Sequence, residues 1–212
     1  MNILIVTGGT EPSEELLLRY KNQVSYIIGA DKGCNVLYKY EIEPNLIVGD
    51  FDSGSLEAIE YFKRKGVEVR RFNSDKDYTD THLAYNIAKE MKEVKKIFLL
   101  GATGTRVDHF LGNIGLFLNS EEDNVELEII DNNNIMFMGK SGDKIKKTEG
   151  KILSFHALSE VVEKFSIKGA KYELEEYDLK LLEPRAISNE FLDEDVQITF
   201  EKGRLLVILS ND

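Results

Sequence analysis

The sequence predicts an α/β protein, with an N-terminal α/β domain built on a parallel sheet and a small C-terminal antiparallel β-sandwich. Three observations carry this. Short apolar runs alternate with helix-like segments in the first part of the chain. Those runs are apolar at consecutive positions, as strands covered on both faces require. After Asp131 the pattern changes to period-two alternation broken by glycines. The expected domains are residues 1–131 and 132–212.

The strand runs are Ile3 to Val6, Tyr26 to Ile28, Leu46 to Val48, Val67 to Phe72, Ile97 to Leu100 and Val125 to Ile130. Each is too short for an ordinary helix, and most end at Gly or Asp, where the chain can turn. Between them lie helix signatures. Ser13 is placed to cap a segment carrying Leu16, Leu17 and Tyr20. Ser55 is placed to cap Leu56, Ile59 and Phe62, with Gly66 as the stop. Leu83, Ile87 and Met91 recur every fourth residue, and Phe110, Ile114 and Phe117 form another stripe. The turn cluster Asn132-Asn133-Asn134 opens the second part. There Phe165 and Ile167, Tyr172 and Leu174, and Val196, Ile198 and Phe200 alternate, with turn signals at Gly139, Gly142, Gly150, Gly169 and Gly203.

The 212 residues are 42% apolar, enough for a real core, which excludes a disulfide-stapled miniprotein or a disordered tail. A net charge of −11 argues against non-specific nucleic-acid binding, although a locally positive site or a bridging cation can still hold an anion. No run approaches the roughly 18 apolar residues of a membrane span. Met1 to Val6 lead straight into Gly8-Gly9, as a first strand does and a signal peptide does not. The lone Cys34 has no intrachain partner, which fits a reducing cytoplasm.

In an open parallel sheet, ligands bind beyond the carboxyl ends of the strands. The residues there are Thr7-Gly8-Gly9, Gly29-Ala30-Asp31, Gly49 to Ser53, Lys76 to Asp80, and Gly101 to His109. Five consecutive edge loops rich in Gly or Asp exceed what ordinary turn preference supplies. Asp50 and Asp52, one residue apart, can converge on a hard cation such as Mg²⁺, though helix capping is the plainer use. Asp77 and Asp80 precede the Leu83 helix, where capping accounts for one of them. Two acids in one turn, with Asp31 on a neighbouring loop, would repel without a cation. The Gly101 to Arg106 loop suits an anion, because small residues let backbone amides approach it. Arg106, His109 and Asn113 share a helix face, and Arg106 is able to clamp a phosphate. His82 reads as a helix-surface residue, His156 as a β-segment residue without a visible partner, and Cys34 as a packing residue.

Together these pieces resemble the bacterial-type thiamine pyrophosphokinase family. The matching residues are Ala30 to Gly33, Pro44 to Ser53, Lys76 to Asp80, Gly101 to His109 with Asn113, and Arg185 to Phe191. The resemblance covers nearly the whole chain. It implies transfer of a pyrophosphoryl group from ATP to thiamine, a nucleotide-binding α/β domain, a thiamine-binding β-sandwich, and a homodimer with thiamine at the subunit interface. It implies a Mg²⁺ cluster of Asp50, Asp52 and Asp80, with Asp77 and Arg106 also at the reaction. Asp31, Lys76, Thr79, Thr103, Gly104, Arg106, Asp108, His109 and Asn113 would contact the nucleotide, and Ser188 and Asn189 the thiamine. Thr105 stands where the family often has a second Gly, and Lys32 and Cys34 depart from the usual small residues.

Two other readings fit parts of the pattern. An apolar run followed by Asp-x-Asp resembles haloacid-dehalogenase-type phosphatases, although that motif normally follows the first strand. A non-catalytic nucleotide or thiamine sensor would keep the loops but would not need the full acidic set.

Overall fold

The computed structural model describes residues 1–51, 56–72 and 77–211. Two compact units comprise residues 1–132 and 133–212. Asp52, Ser55 and Lys76 lie outside the described residues.

The first unit is a six-stranded sheet with five helices: β1 (Asn2–Val6), α1 (Glu14–Lys21), β2 (Tyr26–Ala30), α2 (Gly33–Lys39), β3 (Leu46–Gly49), α3 (Leu56–Arg64), β4 (Glu68–Arg71), α4 (Asp80–Lys89), β5 (Lys96–Leu100), α5 (Val107–Glu122) and β6 (Glu126–Ile130). The strand order is β4-β3-β2-β1-β5-β6, and every pairing is parallel. The expected runs are these strands. Parallel pairing places all six carboxyl ends along one edge. The chain runs outward from β1 to β4, then returns to build β5 on the other side of β1. Beyond β1 and β5 the connections diverge, which opens a crevice.

Local signals set several ends. The Ser13 hydroxyl accepts the Leu16 amide at 3.2 Å and caps α1. Gly66, at φ +85°, closes α3 as the sequence predicts. Its amide donates to the Lys63 carbonyl at 2.9 Å and that of Val67 to Phe62 at 3.0 Å, a Schellman pair.

Two helix expectations are corrected, and one helix is unexpected. The buried face of α4 is Thr81, Ala84, Tyr85 and Ala88, while Leu83, Ile87 and Met91 are half-buried. Thr81, Ala84 and Ala88 let the helix lie close on β1, β2 and β3, and Tyr85 fills the space between them with a fully buried ring. Leu56 at the head of α3 is exposed, while Ile59 and Phe62 are buried. Helix α2, the unexpected one, buries Gly33, Cys34, Val36 and Leu37, and its first residue packs against β1: a Cβ on Gly33 would stand 1.9 Å from the Val6 carbonyl oxygen.

The second unit is a two-sheet β-sandwich of β7 (Asn134–Gly139), β8 (Lys144–Ile145), β9 (Ile152–Ala157), β10 (Val161–Lys168), β11 (Leu174–Lys180), β12 (Asn189–Glu190), β13 (Val196–Thr199) and β14 (Leu205–Ser210). One sheet runs β12-β9-β14-β7 and the other β11-β10-β13-β8, with antiparallel ladders. Alternate residues face inward: Leu153, Phe155 and Ala157 from β9 meet Phe165 and Ile167 from β10, and the Phe155 and Phe165 rings lie 5.2 Å apart. Gly139, expected to mark a turn, ends β7 instead. A Cβ there would stand 2.8 Å from Val207 and 2.9 Å from Ile198, so it is the sandwich core that excludes a side chain. Tyr172, expected to alternate inward with Leu174, is exposed ahead of β11.

Candidate active site

A cavity of about 630 Å³ opens at the carboxyl edge of the parallel sheet. All five predicted edge loops contribute to it: Thr7 to Thr10 after β1, Asp31 and Lys32 after β2, Asp50 after β3, Thr79 to Thr81 before and in α4, and Gly101 to Arg106 after β5, joined by His109 and Asn113 of α5.

The β1 and β5 loops are laced together by backbone. The Thr7 amide donates to Leu100 at 2.9 Å, that of Gly9 to Gly101 at 2.7 Å, and that of Thr10 to Thr103 at 2.5 Å. A Cβ on Gly9 would stand 2.0 Å from the Thr103 carbonyl oxygen, so only glycine permits this lacing. The β1 loop is pinned from behind by Asn132, whose amide group donates to the Glu11 carbonyl at 3.0 Å and accepts from the Ser13 amide at 2.7 Å. Asn113 is 7% exposed and donates to the Ala102 carbonyl at 2.7 Å, which holds the β5 loop against α5. It lines the same cavity as Arg106 and His109, as their shared helix face predicts, but it is buried rather than solvated. The Thr103 hydroxyl is buried with no hydrogen-bond partner among the described residues.

On the opposite wall the Thr79 hydroxyl accepts the His82 amide at 3.2 Å, starting α4 so that Asp80 and Thr81 sit in its first turn. The Thr81 hydroxyl meets that of Thr7 at 2.8 Å, with both residues 7% exposed. Asp31, at φ +47°, donates its amide to the Val48 carbonyl at 2.9 Å and faces the same cavity as Asp50 and Asp80. Three of the predicted carboxylates are thereby brought together around one space.

Other predicted residues stand apart. Asp77 is exposed and does not line the cavity. Asp108 is also off the lining, and its carboxylate accepts two bonds from Arg106, at 3.2 and 2.6 Å. That guanidinium holds the Asp108 carboxyl down at about 2. No group of three or more His, Cys, Asp or Glu among the described residues is gathered tightly enough to hold a metal by itself. Burial pushes the Cys34 thiol up to about 12, so it is a packing group and not a nucleophile.

In the sandwich unit, Ser188 is exposed at φ +56°, and its amide donates to the Ser154 hydroxyl at 3.0 Å. Asn189, expected on a ligand surface, is only 2% exposed. Its side chain accepts the Tyr172 amide at 3.0 Å and donates to the Tyr172 carbonyl at 2.8 Å, anchoring the backbone of that exposed tyrosine.

Sequence reasoning placed Thr7 and Gly9 on the rim but gave no role to them, to Lys32 or to Thr81. The strand order that makes β1 and β5 neighbours would have singled them out, and no local pattern reports it.

The thiamin pyrophosphokinase catalytic-domain profile matches residues 17–129, and the profile of the vitamin B1 binding domain of the same family matches residues 143–205. The chain belongs to the thiamin pyrophosphokinase family. A thiamine pyrophosphokinase of Bacillus subtilis (strain 168) is 34% identical over 212 residues, covering 99% of each chain. A crystal structure of that enzyme from Bacillus subtilis superposes with a TM-score of 0.90 at 33% identity over 100% of both chains. A thiamin pyrophosphokinase family protein from Enterococcus faecalis gives 0.85 at 30% identity, again over 100% of both. These family members share the α/β unit and the sandwich described above.

Proposed function

We propose that the chain transfers the pyrophosphoryl group of ATP to the hydroxyl of thiamine, giving thiamine diphosphate and AMP. The observation that carries this reading is the cavity beyond β1 and β5, where Asp31, Asp50 and Asp80 face the glycine-rich Gly101 to Arg106 loop in a member of this family. The proposed domain roles are nucleotide binding and catalysis for the first unit and thiamine binding for the sandwich.

The donors facing the cavity fit a hard, oxygen-liganded cation such as Mg²⁺. Asp50 and Asp80 would hold it, with Asp52 from outside the described residues. Bound there, the ion supplies charge neutralisation to the phosphate chain. The protein's own work is positioning. The thiamine hydroxyl oxygen bonds to the β-phosphorus, the bond to the oxygen bridging α and β breaks, and AMP departs. Asp80 faces the cavity and Asp77 does not, so Asp80 is the better candidate to accept the hydroxyl proton. Arg106 and the loop backbone take charge on the phosphate oxygens.

On the thiamine side, Ser188 offers a hydroxyl and the exposed Tyr172, its backbone anchored by Asn189, an aromatic ring with the Lys171 ammonium 5.4 Å from its centroid. A homodimer is part of the proposal: Val107 and Leu111 on one face of α5 are 64% and 61% exposed, an apolar pair suited to a second copy. The enzyme would work in the cytoplasm, where an unpaired Cys34 is stable. Among the described residues no helix is long and apolar enough to cross a membrane.

Incubation with ATP, Mg²⁺ and thiamine tests the reading directly. Stoichiometric AMP and thiamine diphosphate are expected. Release of inorganic phosphate without AMP would favour a phosphatase instead.

A further inference from the structure

The sequence assigned phosphate charge to Arg106 and Lys76. In the structure the Arg106 guanidinium is already engaged at two points by Asp108. Among the described residues, Lys32, Arg106 and His109 are the basic side chains lining the cavity. Lys32 has no ion-pair partner among the described residues.

Its placement is set by two close backbone approaches. Gly33 presses against the end of β1, since a Cβ there would stand 1.9 Å from the Val6 carbonyl oxygen. A Cβ on Gly8 would stand 2.6 Å from the Lys32 Cβ. The Lys32 stem therefore rests on the bare backbone of Gly8, and the side chain belongs to the cavity wall beside the β1–β5 crevice. A phosphate chain stays net negative after one divalent cation is bound, and an ammonium on a flexible stem is a suitable partner for the remainder.

We propose that Lys32 is a catalytic residue whose ammonium contacts the β- and γ-phosphate oxygens of ATP, the group being transferred, and not the nucleoside. This rests on the pyrophosphokinase reading. The geometry also explains the pairing of Gly8 with Lys32: any side chain at residue 8 would push the lysine stem off the crevice.

The test uses the full chain, with K32M and K32R beside the wild type. Calorimetry with a non-hydrolysable ATP analogue and with AMP, both with Mg²⁺, gives binding without turnover, and steady-state kinetics give kcat/KM for ATP and KM for thiamine. K32M is expected to weaken the ATP analogue about tenfold and to lower kcat/KM for ATP by about 10- to 100-fold. AMP affinity and thiamine KM should stay within about twofold, and K32R should recover most of the loss. An equal loss for AMP and the ATP analogue, or no loss for either, overturns the assignment. Failure of the wild type to bind the ATP analogue would instead sink the reading of the whole site. Lys32 is exposed, and unchanged melting temperatures in both variants confirm that the fold is not the variable.

Discussion

The hydroxyls of Thr7 and Thr81 meet at 2.8 Å in the cavity wall, joining the carboxyl end of β1 to the first turn of α4 next to Asp80. Both are 7% exposed, so removing one partner leaves the other largely buried without its bond. Thr81→Val should cost about 1–3 kcal/mol by urea unfolding. The Thr7→Val/Thr81→Val double variant should cost clearly less than the sum of the singles, because no hydroxyl is then left unpaired. Additive losses would show that the bond does not couple these elements.

Asp50→Asn and Asp80→Asn remove charge from the cavity without altering volume. Each should lower kcat on the order of 10²-fold or more, with the melting temperature within a few degrees of wild type. Steady-state AMP formation at saturating substrates measures this, and wild-type turnover in both variants would end the metal assignment.

Gly9 and Gly112 make a contrasting pair. A Cβ at Gly9 meets the Thr103 and Gly101 carbonyl oxygens at 2.0 and 2.3 Å, so Gly9→Ala must prise the two loops apart. It should cost about 1–3 kcal/mol and raise KM for ATP. Gly112 lies inside α5 with nothing within 4 Å of a new Cβ, and Gly112→Ala should gain about 0.5–1 kcal/mol. Chemical denaturation of both variants checks the signs.

Asn189 and Tyr172 separate stability from binding. Asn189→Ala loses the bonds to the Tyr172 backbone inside the sandwich and should destabilise by about 2–3 kcal/mol. Tyr172→Ala removes an exposed ring, so it should leave the melting temperature nearly unchanged and raise KM for thiamine roughly tenfold, with Tyr172→Phe close to wild type. Thiamine kinetics at saturating ATP provide the readout.

His156 on β9 has its Nδ1 buried with no partner among the described residues, and burial lowers its pKa from 6.5. The fold therefore prefers the neutral ring. The unfolded chain takes up a proton near pH 6.5 while the folded one does so only at lower pH, so stability is full above that window and falls as pH drops through it. His82, lowered for the same reason, contributes in the same direction. Thermal unfolding at pH 7.5 and 5.5 should show a smaller loss in His156→Leu than in wild type. An equal loss in both would mean that His156 does not titrate in this range.

Much of the site was legible because edge loops of a parallel sheet carry their chemistry in sequence order. Asp31, Asp50, Thr79, Asp80, Thr103, Gly104, Arg106 and His109 all line the cavity as expected from where their strands end. Asp77 and Asp108 were indistinguishable from them in sequence, because a carboxylate near a helix start reads alike whether it faces a ligand, solvent or an arginine. Asn113 also lines the cavity, but its burial was not legible, because periodicity reports a helix face and not what lies opposite it.

The sequence by itself determined the six parallel strands, most helices and the change from parallel to antiparallel architecture, though only some of the sandwich strands. These follow from periods of two and 3.6 residues and from turn chemistry, all local to a few residues. Only the tertiary structure decided that β5 returns beside β1, that Lys32 rests on Gly8, and that Thr7 reaches Thr81. Those relations depend on backbones packing within a few ångströms of each other across 24 to 94 residues of chain, and the residues that permit them, glycines and threonines, carry the same local signal in any turn.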